Sequence, residues 1–350
     1  MLKSIRDIKK CTITTLGSHC ALQVLKGAKD EGFNTLLLCE KKREKLYKRF
    51  KFIDEIILLD KFEDFQNNEI QQELLDKNTI IIPHGTLISS LDIDAIENIK
   101  LPIFGNKYIL KWESDRILKQ KLIDQSGLSV PKEIKNKNEI KKLSIVKLHG
   151  AAGGKGYFLA WDKKSYDDGF RKLKNQKIIK SERELYIQEY IFGVPVYLQF
   201  FYSPISNEIE LLGIDRRYES DIDGISRIPA NAQIKSPPNP TYTVIGNLPL
   251  VLRESLLLEA YEMAEKFVDT TKRLVKHEMS GPFCLEGVYD KEGKFTIFEF
   301  SGRIVAGTNL FINGSPYSDL IYDKPMSSGR RIAREIKISI QKNKLDKVVT

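Results

Sequence analysis

The 350-residue sequence predicts an α/β protein in which an opening parallel sheet is followed by α+β lobes. Three observations predict it. Short apolar runs alternate with helical stretches up to residue 104, a glycine-rich loop separates two apolar strands around residue 150, and two late strands close into a hairpin near residue 290. A chain of this length divides into two or three packed domains.

Residues 11–16 are a β-rich run ending at Gly17, and 19–30 carry helical periodicity that stops at Gly32. The apolar runs 35–39, 53–59 and 79–83, with a helix over 62–76, continue the alternation of a parallel sheet. Such sheets bind ligands at the carboxyl ends of their strands. Residues 106–126 read as one helix closed by Gly127, with Pro131 just beyond. Strands follow over 143–148 and 157–161, a helix over 163–174, and meandering strands over 184–192, 195–202 and 208–216. Residues 217–250, rich in Pro, Asn, Asp and Gly, predict a long functional loop. A helix over 252–276, strands over 283–289 and 295–300 around a turn at 290–293, and a helix over 327–343 complete the chain.

Hydrophobic content of 41% and 29% charged residues are ordinary for a globular protein. The cysteines Cys11, Cys20, Cys39 and Cys284 are scattered, without zinc spacing or a C-x-x-C pair, which fits a reducing compartment. No apolar run approaches the roughly 18–20 residues that cross a bilayer, and residues 1–10 lack the apolar stretch of a signal peptide. A cytoplasmic location is expected, with no membrane partner. The net charge of +9 comes from lysines interspersed with acids and forms no basic stripe with aromatics. That argues against a nucleic-acid groove and for attraction of anionic metabolites.

The sequence from Ile145 to Gly156, Ile-Val-Lys-Leu-His-Gly-Ala-Ala-Gly-Gly-Lys-Gly, is the strongest single feature. Small residues let backbone N–H groups converge on an anion. No Ser or Thr follows Lys155, so it is not a Walker A loop, and a strand rather than a helix follows it. Lys147, on the entering strand, points toward phosphates. The competing reading is a flexible surface hairpin.

Glu286 and Glu299 sit on the two strands of the late hairpin. With a four-residue loop, residue 286 faces 297, and the two carboxylates become diagonal neighbours about 7–8 Å apart, suited to Mg²⁺ and phosphate oxygens. In isolation two solvated carboxylates would be the better reading. The flanking Phe283-Cys-Leu-Glu-Gly-Val and Phe298-Glu-Phe300, followed by Arg303, favour a site.

The lysine-bearing strand before a glycine flap, Gln188-Glu-Tyr-Ile-Phe-Gly193, and the Glu286, Glu299 and Arg303 set resemble the ATP-grasp superfamily. Thr15-Leu-Gly-Ser-His19, Pro83-His-Gly85, Phe104-Gly-Asn106, Trp112-Glu-Ser114, Arg217-Tyr-Glu-Ser220, Gly246-Asn247, Gly281-Pro-Phe-Cys284 and Gly307-Thr-Asn309 narrow this further. The chain closely resembles the archaeal formate-dependent FAICAR synthetases.

The resemblance implies a Rossmann-like domain over 1–106, an ATP-grasp lobe with the flap over 107–188, and a metal-bearing lobe over 189–350. It implies a ligase of purine (IMP) biosynthesis that phosphorylates formate with ATP. The amine of 5-aminoimidazole-4-carboxamide ribonucleotide (AICAR) then attacks the formyl phosphate, giving FAICAR, ADP and phosphate.

Carried over by position, His19, Thr86 and Asn247 contact AICAR. Lys147, Gly150, Gly153, Gly154 and Gly156 hold the ATP phosphates. Glu189, Tyr190 and Ile191 form the adenine hinge, and Glu219 touches ATP. Glu286 and Glu299 hold Mg²⁺ or Mn²⁺, and Lys147 and Arg303 serve catalysis. A homo-oligomer is implied as well.

The residues themselves support parts of this. Gly17-Ser-His19 opens a helix after a strand, a phosphate-binding position, although the residues alone favour the plainer reading of Ser18 as an N-cap with His19 exposed. Thr86 replaces a serine of the family pattern, Gln23 a histidine, Ala152 an arginine and Val305 an aspartate. Two rival readings are a sibling ligase with another acid and amine, and a silent purine-nucleotide-binding protein. An intact Lys147, Glu286, Glu299 and Arg303 argue against the silent protein.

Overall fold

A computed structural model describes residues 7–148, 157–235 and 244–350. Among them, β1 (Thr12–Leu16), α1 (Ala21–Asp30), β2 (Asn34–Glu40), α2 (Glu44–Tyr47), β3 (Glu55–Leu59), α3 (Asn68–Asp76) and β4 (Thr79–Ile81) build a parallel sheet ordered β3-β2-β1-β4. β1 is buried along its whole length, as a central strand covered on both faces must be. Its threonines remain satisfied: Thr14 and Thr15 donate to the carbonyls of Leu36 and Ile82 at 2.9 and 2.8 Å. Gly32, at φ +92°, stops α1 where expected, and Phe33 N–H returns to the Ala28 carbonyl at 3.0 Å.

Several predicted helices divide. The stretch 62–76 is a 3-10 turn, Phe62–Gln66, followed by α3, with extended backbone at Asn67 between them. Two six-residue helices, α4 (Gly85–Ser90) and α5 (Ile93–Asn98), are too short for periodicity to reveal. The helix predicted over 106–126 is α6 (Ile109–Ser114) and α7 (Arg116–Gln125). Asp115 interrupts them: its backbone is extended at ψ 121°, and its carboxylate caps α7 by accepting from Leu118 N–H at 3.0 Å.

The second sheet has the order β5-β8-β6-β7, from β5 (Glu133–Ile134), β6 (Ser144–Leu148), β7 (Phe158–Ala160) and β8 (Leu185–Glu189). β6 and β7 pair antiparallel on either side of the glycine segment, whose residues 149–156 lie outside the described ones. α8 (Lys163–Asn175), capped by Asp162, covers this sheet through a small core that includes Val146, Tyr166, Leu173 and Ile187.

The third sheet is antiparallel, ordered β11-β10-β9-β12-β13. It comprises β9 (Val194–Ser203), β10 (Glu208–Glu219), β11 (Val244–Pro249), β12 (Gly281–Tyr289) and β13 (Phe295–Ser301). The segment 217–250, predicted as a long loop, instead continues β10, forms α9 (Ser220–Ile225) and α10 (Ala230–Lys235), and returns as the edge strand β11. α11 (Leu257–Leu274) seals one face of the sheet. There Phe267 packs on Phe283 and Phe300, with ring centroids 5.4 and 5.0 Å apart.

The last helix, α12 (Ser328–Gln341), crosses back onto α1. Close approach requires glycine on both sides: a Cβ at Gly27 would lie 2.2 Å from Arg330 N, and one at Gly329 would lie 2.4 Å from the Gln23 carbonyl oxygen. No helix among the described residues is long and apolar enough to cross a membrane.

Candidate active site

The face of the third sheet opposite α11 is polar. Asp215 pairs with Tyr197, Tyr197 with Glu286, and Glu286 with Glu299, so the four form one transverse row. Directly opposed residues share a face. Asn247 opposite Arg217 makes the adjoining row on one side; Gln199, Cys284 and Ser301 make it on the other.

The carboxylates meet by a register the sequence did not predict. The turn takes five residues, because Tyr289 pairs with Phe295, and this alone would turn the carboxylates to opposite faces. A β-bulge past Gly287–Ile297 leaves Phe298 as the extra residue and restores a shared face. Glu286 therefore lies directly opposite Glu299, not diagonal to it.

Glu286 is buried, and its oxygens accept from Arg217 Nη2 at 2.8 Å and Ser301 Oγ at 2.9 Å. Arg217 also lies over the Tyr197 ring, 4.0 Å from its centroid. Glu299 accepts from Lys119 Nζ, on α7. Two opposed carboxylates are hard oxygen donors. Among the described residues no cluster of three or more His, Cys, Asp or Glu is placed to hold a metal. A donor set of two carboxylates fits Mg²⁺, which keeps waters and takes substrate phosphates rather than an all-protein cage.

Lys147 reaches over this row from β6, with Nζ 5.8 Å from the Phe298 ring centroid and 3.5 Å from Gln188 Oε1. Burial, then Arg116 and Lys119, push its pKa down to about 8. An arriving phosphate would reverse that shift. Arg116 lies over Tyr186, 3.3 Å from the ring centroid, and donates to the Leu148 carbonyl. Sequence reasoning missed Arg116, Lys119 and Arg217. For the first two a signal existed: they sit three apart on α7, in line with the buried Leu122 and Ile123.

Arg303 is enclosed beside the row. It pairs with Glu113 at 2.8 Å, Glu113 accepts from Gly302 N–H at 2.9 Å, and Arg303 Nε is a buried donor with no partner among the described residues. Burial raises the Glu113 carboxyl against the pull of Arg303.

The carboxyl ends of β1 and β4 bring His19 and His84 to the same place. Their rings stack 5.3 Å apart, 4° from parallel. His84 Nδ1 accepts from Thr86 N–H at 3.2 Å and its Nε2 lies 2.9 Å from the Leu16 carbonyl oxygen, which fixes a neutral tautomer with the proton on Nε2. Burial, then Arg303, push its pKa down to about 4. Solvent reaches one side of His19; burial of the other side, then His84, Arg303 and Arg217, lower it too. A Cβ at Gly85 would lie 3.0 Å from His19 Nε2 and 3.5 Å from Arg303 Nη2, so these three residues meet. Ser18 does not cap α1: Cys20 occupies that position, without a side-chain hydrogen bond.

Asn247 Nδ2 donates to Asp215 Oδ2 at 2.6 Å. Thr86 is half-buried in the first turn of α4. Glu219 ends β10, with its N–H on Asp223 Oδ2 at 2.5 Å, and burial raises its carboxyl. Glu189 turns away from the row, accepting from Lys132 N–H at 3.0 Å and Lys142 Nζ at 2.7 Å; Tyr190 N–H bonds the Leu143 carbonyl at 3.2 Å, and Ile191 follows. Gly150, Gly153, Gly154 and Gly156 lie outside the described residues, as does Ala152.

A family model described as "Domain of unknown function (DUF1297)" matches residues 165–350, and one described as "Protein of unknown function (DUF1246)" matches 13–134. A protein of Nitrosopumilus maritimus named 5-formaminoimidazole-4-carboxamide-1-(beta)-D-ribofuranosyl 5'-monophosphate synthetase is 56% identical over 339 residues, covering 97% of this chain and 99% of its own. The chain belongs to this synthetase family. The crystal structure of an IMP biosynthesis protein, PurP, from Thermococcus kodakaraensis superposes with a TM-score of 0.76 at 32% identity, over 97% of this chain and all of that one. An ADP complex of N5-carboxyaminoimidazole ribonucleotide synthetase, purK, at 15% identity and TM-score 0.67 over 94% of this chain and 77% of its own, shares the ATP-grasp fold.

Gln23 and Val305, both expected to depart from the synthetase family pattern, have defined partners here. Gln23 is buried and bonds Thr308 Oγ1 at 2.9 Å, Asn309 Oδ1 at 3.1 Å and Gly329 N–H at 2.9 Å, so its amide pins α1 to the loop after Arg303 and to α12. Val305 precedes the 3-10 turn Ala306–Phe311, and its carbonyl accepts from Thr308 Oγ1 at 2.6 Å.

Proposed function

We propose that this chain is an ATP-dependent ligase that joins formate to AICAR, releasing FAICAR, ADP and phosphate in IMP biosynthesis. The observation that carries the reading is the direct opposition of Glu286 and Glu299 on a face shared with Arg217 and Asn247.

In this reading Lys147 and Gly150, Gly153, Gly154 and Gly156 take the ATP phosphates, Glu189, Tyr190 and Ile191 take adenine, and Glu219 touches the nucleotide. Mg²⁺ or Mn²⁺ held by Glu286 and Glu299 would act as a Lewis acid toward the β- and γ-phosphates. His19, Thr86 and Asn247 take AICAR. A formate oxygen attacks the γ-phosphorus and ADP leaves. The amine nitrogen of AICAR then attacks the formyl carbon, the bond from carbon to the phosphate oxygen breaks, and the amine gives up one proton. Lys147 and Arg303 supply fixed positive charge along that path. Closure of the loop around Gly153 keeps water from the acyl phosphate.

The reading also takes 1–106, 107–188 and 189–350 as units, a cytoplasmic location, and a homo-oligomer. Exposed Val244, Ile245 and Leu248 on the edge strand β11 offer apolar surface for the oligomer.

Release of ADP and phosphate from ATP and Mg²⁺, with formate and AICAR omitted in turn, tests the proposal. Release that requires both, with FAICAR formed, supports it. Release only with another acid or amine makes the chain a sibling ligase, and no release under any pairing leaves a nucleotide-binding protein.

A further inference from the structure

Asp215 is 1% exposed and stands in the same transverse row as Glu286 and Glu299, yet phosphate transfer has no use for it. Its two oxygens take two amides: Gln199 Nε2 donates to Oδ1, and Asn247 Nδ2 donates to Oδ2 at 2.6 Å. The 3-10 turn after Arg303 presses on it, since a Cβ at Gly307 would lie 2.2 Å from Oδ1. Arg217, two residues along β10 and opposite Asn247, holds Glu286.

An ionised carboxylate only accepts hydrogen bonds, so each amide must turn its NH₂ toward Asp215 and its carbonyl away. Gln199 shows the consequence: its Oε1 is buried without a partner among the described residues. A buried carbonyl left unbonded is costly, which argues that the carboxylate, and not the amide's own preference, sets the orientation. Asn247 is subject to the same constraint but is only half-buried, so its carbonyl is the group it has left for a ligand.

We infer that Asp215 is a positioning residue that locks the Asn247 amide with its carbonyl oxygen presented to the amine nucleotide, making this site selective for an NH₂-bearing ligand group. The inference rests on the reading that Asn247 binds AICAR. AICAR carries an aromatic amine and a carboxamide NH₂, both donors, and either matches a fixed acceptor. A ligand with a carbonyl at that place would meet acceptor against acceptor, the kind of mismatch by which polar sites reject analogues.

The test is calorimetric binding of AICAR and of ATP to the full chain and to Asp215→Asn, Asn247→Ala and the double variant. Asp215→Asn keeps the shape but replaces one acceptor with an NH₂, so it can no longer hold both amides in the same sense. AICAR affinity is expected to fall about tenfold, the scale of one hydrogen bond to a polar ligand. ATP affinity and the unfolding midpoint are expected to stay close to the parent's. Adding Asp215→Asn to Asn247→Ala is expected to cost little more, because the two act as one unit. Unchanged AICAR affinity in Asp215→Asn, or equal losses for AICAR and ATP, overturns the inference while leaving the ligase reading intact. A parent chain that does not bind AICAR overturns that reading and this inference with it.

Discussion

Lys119 on α7 donates to Glu299 on β13, joining residues 180 apart and holding that carboxylate beside Glu286. In the proposed reaction Glu299 is half of the metal-binding pair. Glu299→Ala is expected to lower kcat at least about 10²–10³-fold, the scale of losing one electrostatic stabiliser. Steady-state turnover at saturating ATP, formate and AICAR checks this, and near-parental kcat contradicts the metal assignment.

Lys147, with its pKa pushed down to about 8, gives ATP binding a pH signature. Phosphates favour the charged ammonium, which the free protein loses as pH rises through about 8. ATP affinity is expected to weaken between pH 7 and 9.5, approaching about tenfold per unit at the upper end. Lys147→Arg, charged throughout, should flatten the profile. ATP titrations across that range provide the measurement, and a parental profile as flat as that of the variant refutes the role.

Arg303 and Glu113 pair with little of either side chain exposed, so removing one partner strands the other. Arg303→Met is expected to cost about 3–5 kcal/mol of stability, and Arg303→Met with Glu113→Gln to recover much of it. Urea unfolding of the parent and both variants decides this. A single variant as stable as the parent shows that the pair is not energetically coupled.

His84 is neutral in the fold, with a pKa pushed down to about 4 from the usual 6.5. Between those values the unfolded chain binds a proton that the folded chain does not. Stability is therefore full above about pH 6.5 and falls as pH drops toward 4, by up to about 1.4 kcal/mol per unit from this residue. Urea unfolding at pH 7 and pH 5 should show the loss, and His84→Asn should lose less between the two. Equal losses in parent and variant would assign the pH dependence to other groups.

The parallel sheet was legible because β1 is rich in β-branched residues and β2 carries the apolar run 36–39, patterns that suit strands covered on both faces. The pairing of Glu286 with Glu299 was legible as a shared face, but not in register. A fifth turn residue and the bulge at Phe298 each shift the ladder by one, and alternation alone encodes neither. Asp115 broke a helix that apolar periodicity ran straight through, because a cap depends on one side chain and not on a pattern. Arg217 could not be matched to Glu286, 69 residues away, nor Lys119 to Glu299, because only the folded sheet brings them together. The amide network on Asp215 is equally a product of packing, joining β9, β10 and β11 in one bond set.

In the proposed reaction formate is activated by phosphoryl transfer before the amine attacks. Turnover with formate labelled with ¹⁸O on both oxygens tests it directly, by mass analysis of the released phosphate. One ¹⁸O is expected in each phosphate formed together with FAICAR, since the formate oxygen that attacked phosphorus leaves with it. Unlabelled phosphate released alongside FAICAR would contradict it.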